Sequence, residues 1–199
     1  MFKTREFMDK RVVKTKAIIR YSFLDLMKHL AYEDITIMRI VEEAEISRVT
    51  FYNHYENKEH LMQEIIDDIT ADIKEDMRSI QRPNSLLKVS DLNIDSVKIF
   101  DHVYKHSVFF KAIVDTRFIT IFTNQLVYVL KSMWVSEYRI TTPNINTELY
   151  TNYTIYALIG LIIEWVKDDF KYSPHYMSEQ FVNLTKMSSN LGISKGGEG

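Results

Sequence analysis

Cysteine is absent from this chain, and only three prolines and five glycines occur among its 199 residues. Without thiols there are no disulfides, no cysteine zinc sites and no thiol nucleophile, which suits a reducing, cytoplasmic setting. So little glycine and proline argues against a turn-rich β architecture and favours long helices. Long apolar runs are missing too. The longest, near residues 157–163, falls well short of the ~18 residues of a membrane span, and the start Met1-Phe2-Lys3-Thr4-Arg5 has no apolar signal core. No membrane partner is expected. Catalytic signatures are also wanting: there is no glycine-rich phosphate loop, serine elbow or HExxH helix. The expectation is a protein that is not an enzyme and takes no cofactor.

What is present is apolar substance, 46% of residues with 13% aromatic, enough for a sizeable core. Charge is small overall, −2, but unevenly placed. Residues 1–20 hold Lys3, Arg5, Lys10, Arg11, Lys14, Lys16 and Arg20 against Glu6 and Asp9, a net +5. A basic end on an acidic body suits either a polyanion contact at that end or a solvated arm.

Residues 1–9 read as a flexible arm and 10–30 as a helix, with Ile19, Ser22, Phe23 and Leu26 on one face of a 3.6-residue period. Thr36 is placed to cap a short helix through about Ala44, Ser47 a second through about Tyr55, and Asn57 a third running to about residue 80. Residues 80–91 read as a loop. Further helices are expected at about 92–105, 107–114, 117–136, 147–170 and 174–191, and the glycine-rich tail is expected to be disordered. No β alternation stands out. The fold expectation is all-α with about nine helices: an N-terminal arm and small helical domain over 1–56, and a larger helical domain over 57–199.

The stretch 36–60 carries the function. Two short capped helices are joined by about three residues, which is helix-turn-helix geometry with the second helix offered to the major groove. That second helix is expected to expose Arg48, Thr50, Asn53 and His54 while Phe51 and Tyr55 turn inward. From Lys14 through Leu61 the chain resembles the TetR/AcrR family. The run Ser47-Arg48-Val49-Thr50-Phe51-Tyr52-Asn53-His54-Tyr55-Glu56-Asn57-Lys58-Glu59-His60-Leu61 follows that family's pattern S-x-x-T-x-Y-x-H-F/Y-x-x-K-x-x-L.

The resemblance implies a homodimeric transcriptional regulator, by default a repressor, that binds double-stranded operator DNA. It implies phosphate contacts from Thr36 and, less directly, Arg39. Ser47 opens the reading helix. Arg48 and Thr50 face the groove beside Asn53, and Tyr52, His54 and Lys58 grip the backbone. One departure is Glu45, where the family usually has glycine in the turn; a positive φ there would strain any residue with a side chain.

Beyond residue 80 the resemblance implies a regulatory and dimerisation domain. Met177, Phe181, Leu184, Ser188 and Leu191 recur at heptad spacing, and Tyr153, Ala157 and Gly160 share a face with small residues, so both helices are candidates for a four-helix dimer interface. Phe100, Tyr104, Phe110, Phe122, Trp134 and Tyr156 are candidate walls of an effector pocket. Gly160 to Trp165 resembles a Gly-x-x-x-x-Trp pattern of TetR-like regulators from Gram-positive bacteria, some of which answer to a protein partner rather than a small molecule. The effector's identity is open between those two kinds. His102 and His106 have the spacing to share a metal on one helix face, but no acid stands clearly at a third ligand position, so no metal is expected.

Overall fold

The computed structural model describes residues 2–79, 94–137 and 146–190, and among these nine α-helices and no strand occur. The helices are α1 (Phe2–Leu26), α2 (Ile37–Glu43), α3 (Arg48–Tyr52), α4 (Lys58–Ser79), α5 (Ile99–Lys105), α6 (Ser107–Ile113), α7 (Phe118–Glu137), α8 (Thr147–Lys167) and α9 (Pro174–Asn190). The all-α expectation holds. The loop expected over 80–91 and the glycine-rich tail lie outside the described residues.

Helix α1 begins at Phe2, so residues 2–9 of the arm expected over 1–9 are helical. No glycine or proline interrupts 2–26, and nothing local stops the helix running back to its start. Its C-terminal end comes at Leu26, earlier than the expected residue 30.

The chain divides into two compact units, one of residues 1–71 with 108–119 and the other of residues 72–107 with 120–199. The division falls inside α4, not at the 56/57 boundary drawn from sequence, and it gives most of α6 to the first unit. In that unit Ile19 and Phe23 of α1, Ile40 and Val41 of α2, Phe51 of α3 and Leu61 of α4 are buried together with Tyr55. Tyr32 lies edge-on to Phe118 at 4.6 Å and to Phe23 at 6.2 Å.

The second unit is built around α8, whose inner face (Tyr150, Thr154, Ile155, Leu158, Ile162 and Trp165 among others) is buried. By length and composition alone α8 would pass as a membrane-crossing helix, with mean hydropathy 1.2, yet half of it is buried in this fold. Asn146 caps it, accepting from the Leu149 N–H at 3.0 Å. Its far end closes with Asp169 and Phe170 in left-handed backbone, φ 55° and 57°. There the Phe170 N–H donates to the Trp165 carbonyl and the two rings meet at 4.8 Å. Phe100 of α5 and Phe181 of α9 fill the same core.

Candidate nucleic-acid interface

Local chemistry marks where each helix of the helix-turn-helix begins. Thr36 caps α2 by accepting the Arg39 N–H at 3.3 Å. Ser47 caps α3 by accepting the Thr50 N–H at 3.0 Å, and the Ser47 and Thr50 hydroxyls pair at 2.8 Å. Asn57 caps α4 by accepting the His60 N–H at 2.7 Å. Each cap satisfies a backbone donor that a helix start leaves open.

Between α2 and α3 the chain reverses through a Schellman turn. The Ile46 N–H donates to the Val41 carbonyl at 3.0 Å and the Glu45 N–H to the Glu42 carbonyl at 3.1 Å. That pattern requires a left-handed residue after the cap, and Glu45 supplies it with φ 51°. Glycine would adopt this conformation without a Cβ clash. Glu45→Gly is therefore expected to raise stability by about 1 kcal/mol, the left-handed strain relieved less the extra freedom of glycine in the unfolded chain. Thermal denaturation checks it; an unchanged or lower melting temperature would mean that the Glu45 side chain contributes contacts outweighing the strain.

Helix α3 offers a small outward face. Arg48, Val49, Tyr52 and Asn53 are exposed, whereas Thr50 and His54 are half-buried. Phe51 and Tyr55 point inward as expected, with the Tyr55 hydroxyl donating to Glu64 Oε1 at 2.7 Å. Val49 was missed by the sequence reading and is 70% exposed. The signal was available: once Phe51 and Tyr55 are inward, positions 48, 49, 52 and 53 fall on the opposite side of the helix. Such a face combines a guanidinium, an amide, a phenol and two methyls, the groups that address guanine, adenine, phosphate and the thymine methyl. On α2, Met38 and Arg39 are exposed.

Lys58 does not join that face. Its ammonium donates to the carbonyls of Tyr32 at 2.7 Å, Ile35 at 2.8 Å and Glu33 at 3.4 Å, and it sits 4.2 Å from the centre of the Tyr32 ring. It ties the start of α4 to the segment that leads into α2. The basic end of the chain is also partly committed. Lys16 pairs with Glu64 and Arg20 with Asp68, both acids on α4. Burial works to raise the pKa of Glu64, but hydrogen bonds from Lys16 and Tyr55 outweigh it and hold the carboxyl below its ordinary value. Arg11 and Lys14 stay exposed on α1.

The candidates in the C-terminal helices divide. Tyr153, Ala157 and Gly160 lie exposed along the outer face of α8, and a Cβ built on Gly160 meets nothing within 4 Å. On α9 Leu184 is exposed, but Met177 and Phe181, expected at a dimer seam, are buried inside the subunit, Phe181 against Phe100. The correction has a physical cause: heptad spacing marks a helix face but does not say whether that face meets a partner or the subunit's own core, and here Phe100 takes Phe181. Leu191 lies outside the described residues.

The aromatic candidates for an effector pocket divide between the two units. Phe100 and Phe122 are buried in the second unit, Phe110 in the first, and Tyr104 and Tyr156 are exposed. Tyr104 stacks on Trp165 with ring centres 6.2 Å apart. The Trp134 side chain lies outside the described residues.

Two family descriptions match the chain: "Bacterial regulatory proteins, tetR family" over residues 24–65, and the TetR-type "Transcriptional regulator C-terminal region" over 93–187. Among curated relatives, the HTH-type transcriptional regulator YxbF of Bacillus subtilis (strain 168) is 38% identical over 78 residues, 39% of this chain and 20% of that protein. The HTH-type dhaKLM operon transcriptional activator DhaS of Lactococcus lactis subsp. lactis (strain IL1403) is 37% identical over 67 residues, 34% of this chain and 36% of that one. The chain thus aligns with well under two thirds of either relative's length. Among solved structures, a TetR transcriptional regulator from Streptococcus agalactiae 2603V shares the fold with TM-score 0.63 at 21% identity, covering 91% of this chain and 98% of that one. With one family model on the helix-turn-helix and another on the helices that follow, the chain belongs to the TetR family of bacterial transcriptional regulators.

Proposed function

We propose that this protein is a homodimeric regulator that represses transcription by binding a specific operator, and that an effector held by the second unit changes its operator affinity. The observation that carries the reading is the outward face of α3, where Arg48, Val49, Tyr52 and Asn53 stand exposed on a helix rigidly capped at Ser47. Arg48 and Val49 read base edges, Asn53 reads an adenine or a phosphate, and Tyr52 and His54 contact the backbone. Thr36 and Arg39 add phosphate contacts from α2, and the Thr36 hydroxyl keeps its proton free to donate while its oxygen accepts from Arg39. Thr50, paired with Ser47, sets the start of α3.

Binding to the DNA upstream of the protein's own gene tests this reading. A gel shift at two salt concentrations with scrambled competitor is expected to give a discrete complex that survives the competitor and contains two chains. Binding that the competitor removes at both salts would leave only non-specific phosphate contact and defeat the reading.

A second reading, transcriptional activation, is favoured by the likeness to DhaS, which is an activator. A promoter fusion compared with and without the gene separates the two by sign.

In the proposed dimer the outer face of α8 (Tyr153, Ala157, Gly160) packs beside Leu184 of α9 against the same face of a second copy. Open space around Gly160 makes a discriminating variant possible. Gly160→Glu is expected to leave helicity unchanged and convert the dimer to monomer, as light scattering after size exclusion would measure. A variant still dimeric at micromolar concentration would move the interface elsewhere.

A further inference from the structure

Two imidazoles of the second unit serve neither the DNA-facing surface nor the proposed dimer face. His102 lies in α5 and His106 one turn later, at its C-terminal cap, with ring centres 4.7 Å apart. His102 is 3% exposed. Its Nδ1 is 2.8 Å from Oδ2 of Asp76 on α4. A carboxylate can only accept there, so Nδ1 carries the proton and Nε2 presents a lone pair. That Nε2 and the Nε2 of His106 are both buried without a hydrogen-bond partner. Buried nitrogen left unsatisfied is costly, and two such atoms on neighbouring rings ask for a shared occupant.

We propose that His102 and His106 chelate a borderline transition-metal dication of the zinc, cobalt or nickel class through their Nε2 atoms, with Asp76 orienting His102. Neutral imidazole is a preferred ligand of these ions. A carboxylate on the far nitrogen of a ligating histidine is the usual outer-shell partner, fixing tautomer and ring plane while raising ligand basicity. Rings separated by 4.7 Å lie close enough for one ion to reach both nitrogens at about 2.1 Å after small side-chain rotations. Asp76 itself is half exposed. Among the described residues no group of three or more His, Cys, Asp or Glu forms a closed metal cage. The ion therefore keeps open positions, filled by water or by the oxygens of a small chelating molecule. Magnesium and calcium, which prefer oxygen donors, are excluded.

The test uses the full-length protein without a polyhistidine tag, stripped with EDTA and dialysed. Thermal melts with zinc, cobalt, nickel or magnesium chloride are expected to show a rise of about 3 °C or more for the first three and none for magnesium. Cobalt is expected to add visible d–d absorption. His106→Gln should abolish the shift and the absorption, Asp76→Asn should weaken the metal about tenfold, and His175→Gln, on an exposed histidine of α9, should change neither. His102 is buried and its replacement risks misfolding, so His106→Gln decides the case. No shift with any of the three ions, or a shift that survives in His106→Gln, overturns the proposal; a water bridging the two nitrogens would give that first result.

Discussion

Replacing Lys58 by alanine is expected to lower the stability of the protein by about 2–3 kcal/mol, a drop in melting temperature of roughly 5–10 °C. The ammonium is shared among the carbonyls of Tyr32, Glu33 and Ile35 and lies against the Tyr32 ring, itself buried. Hydrogen bonds from a charged donor contribute more than neutral ones; removal takes that donor from the Ile35 carbonyl and leaves the Tyr32 carbonyl only the Ile35 N–H. Lys58→Met separates the causes: it keeps the aliphatic stem packed and loses only the charge and its donors. Most of the loss should survive in that variant. Arginine should rescue poorly, because a flat fork cannot direct its donors at carbonyls converging on a single point. Operator binding gives the second readout. The sequence pattern assigned Lys58 to a phosphate, which predicts that its removal flattens the salt dependence of log K by about one unit. With the ammonium held on backbone carbonyls, the slope of Lys58→Met should instead match that of the parent. A slope reduced by one unit would show that DNA draws Lys58 off its carbonyls, and the structural assignment would then fail.

Lys58 also marks where sequence stops being informative. Thr36, Ser47 and Asn57 were legible as caps because a cap is a conversation between a side chain and backbone three residues away. The strain at Glu45 was legible for the same reason: a turn this short between two capped helices leaves few backbone routes, and one residue must go left-handed. The carbonyls that hold Lys58 lie more than twenty residues earlier in the chain, and no local pattern announces them. Arg20 and Lys16 looked like part of a basic arm until α4 brought Asp68 and Glu64 beside them. In α9 the heptad spacing was real but did not say which side of the helix met the subunit's own core. Phe100 beyond α4 decided that by taking Phe181. His102 and His106 were visible as a pair; Asp76, which gives the pair its chemistry, was not, because it sits on another helix.

Arg48→Ala should cost roughly 1–3 kcal/mol of operator binding, a loss of about 5- to 150-fold in affinity, and should relax discrimination at one base pair in each half-site. Arg48 is the first residue of α3, exposed, and its backbone is fixed by the Ser47 cap, so in the proposed complex the guanidinium enters the groove from an anchored start. A guanidinium meets guanine O6 and N7 with two parallel donors, which lysine cannot reproduce. Arg48→Lys should therefore keep much of the non-specific affinity and still lose the preference for that base. Arg39→Ala is the control. Its side chain is exposed on α2, and as a phosphate contact its loss should weaken every sequence by a similar factor while reducing the salt slope by about one unit. Binding measured against the operator and against operators substituted one pair at a time distinguishes the two behaviours. If Arg48→Ala weakens all sequences equally, its guanidinium holds phosphate, and the burden of reading falls on its neighbours. Val49 would then be the next residue to test, since its exposed methyls can recognise only a thymine methyl and give the backbone nothing. Val49→Ala would lower affinity solely where the operator carries thymine at the matching step.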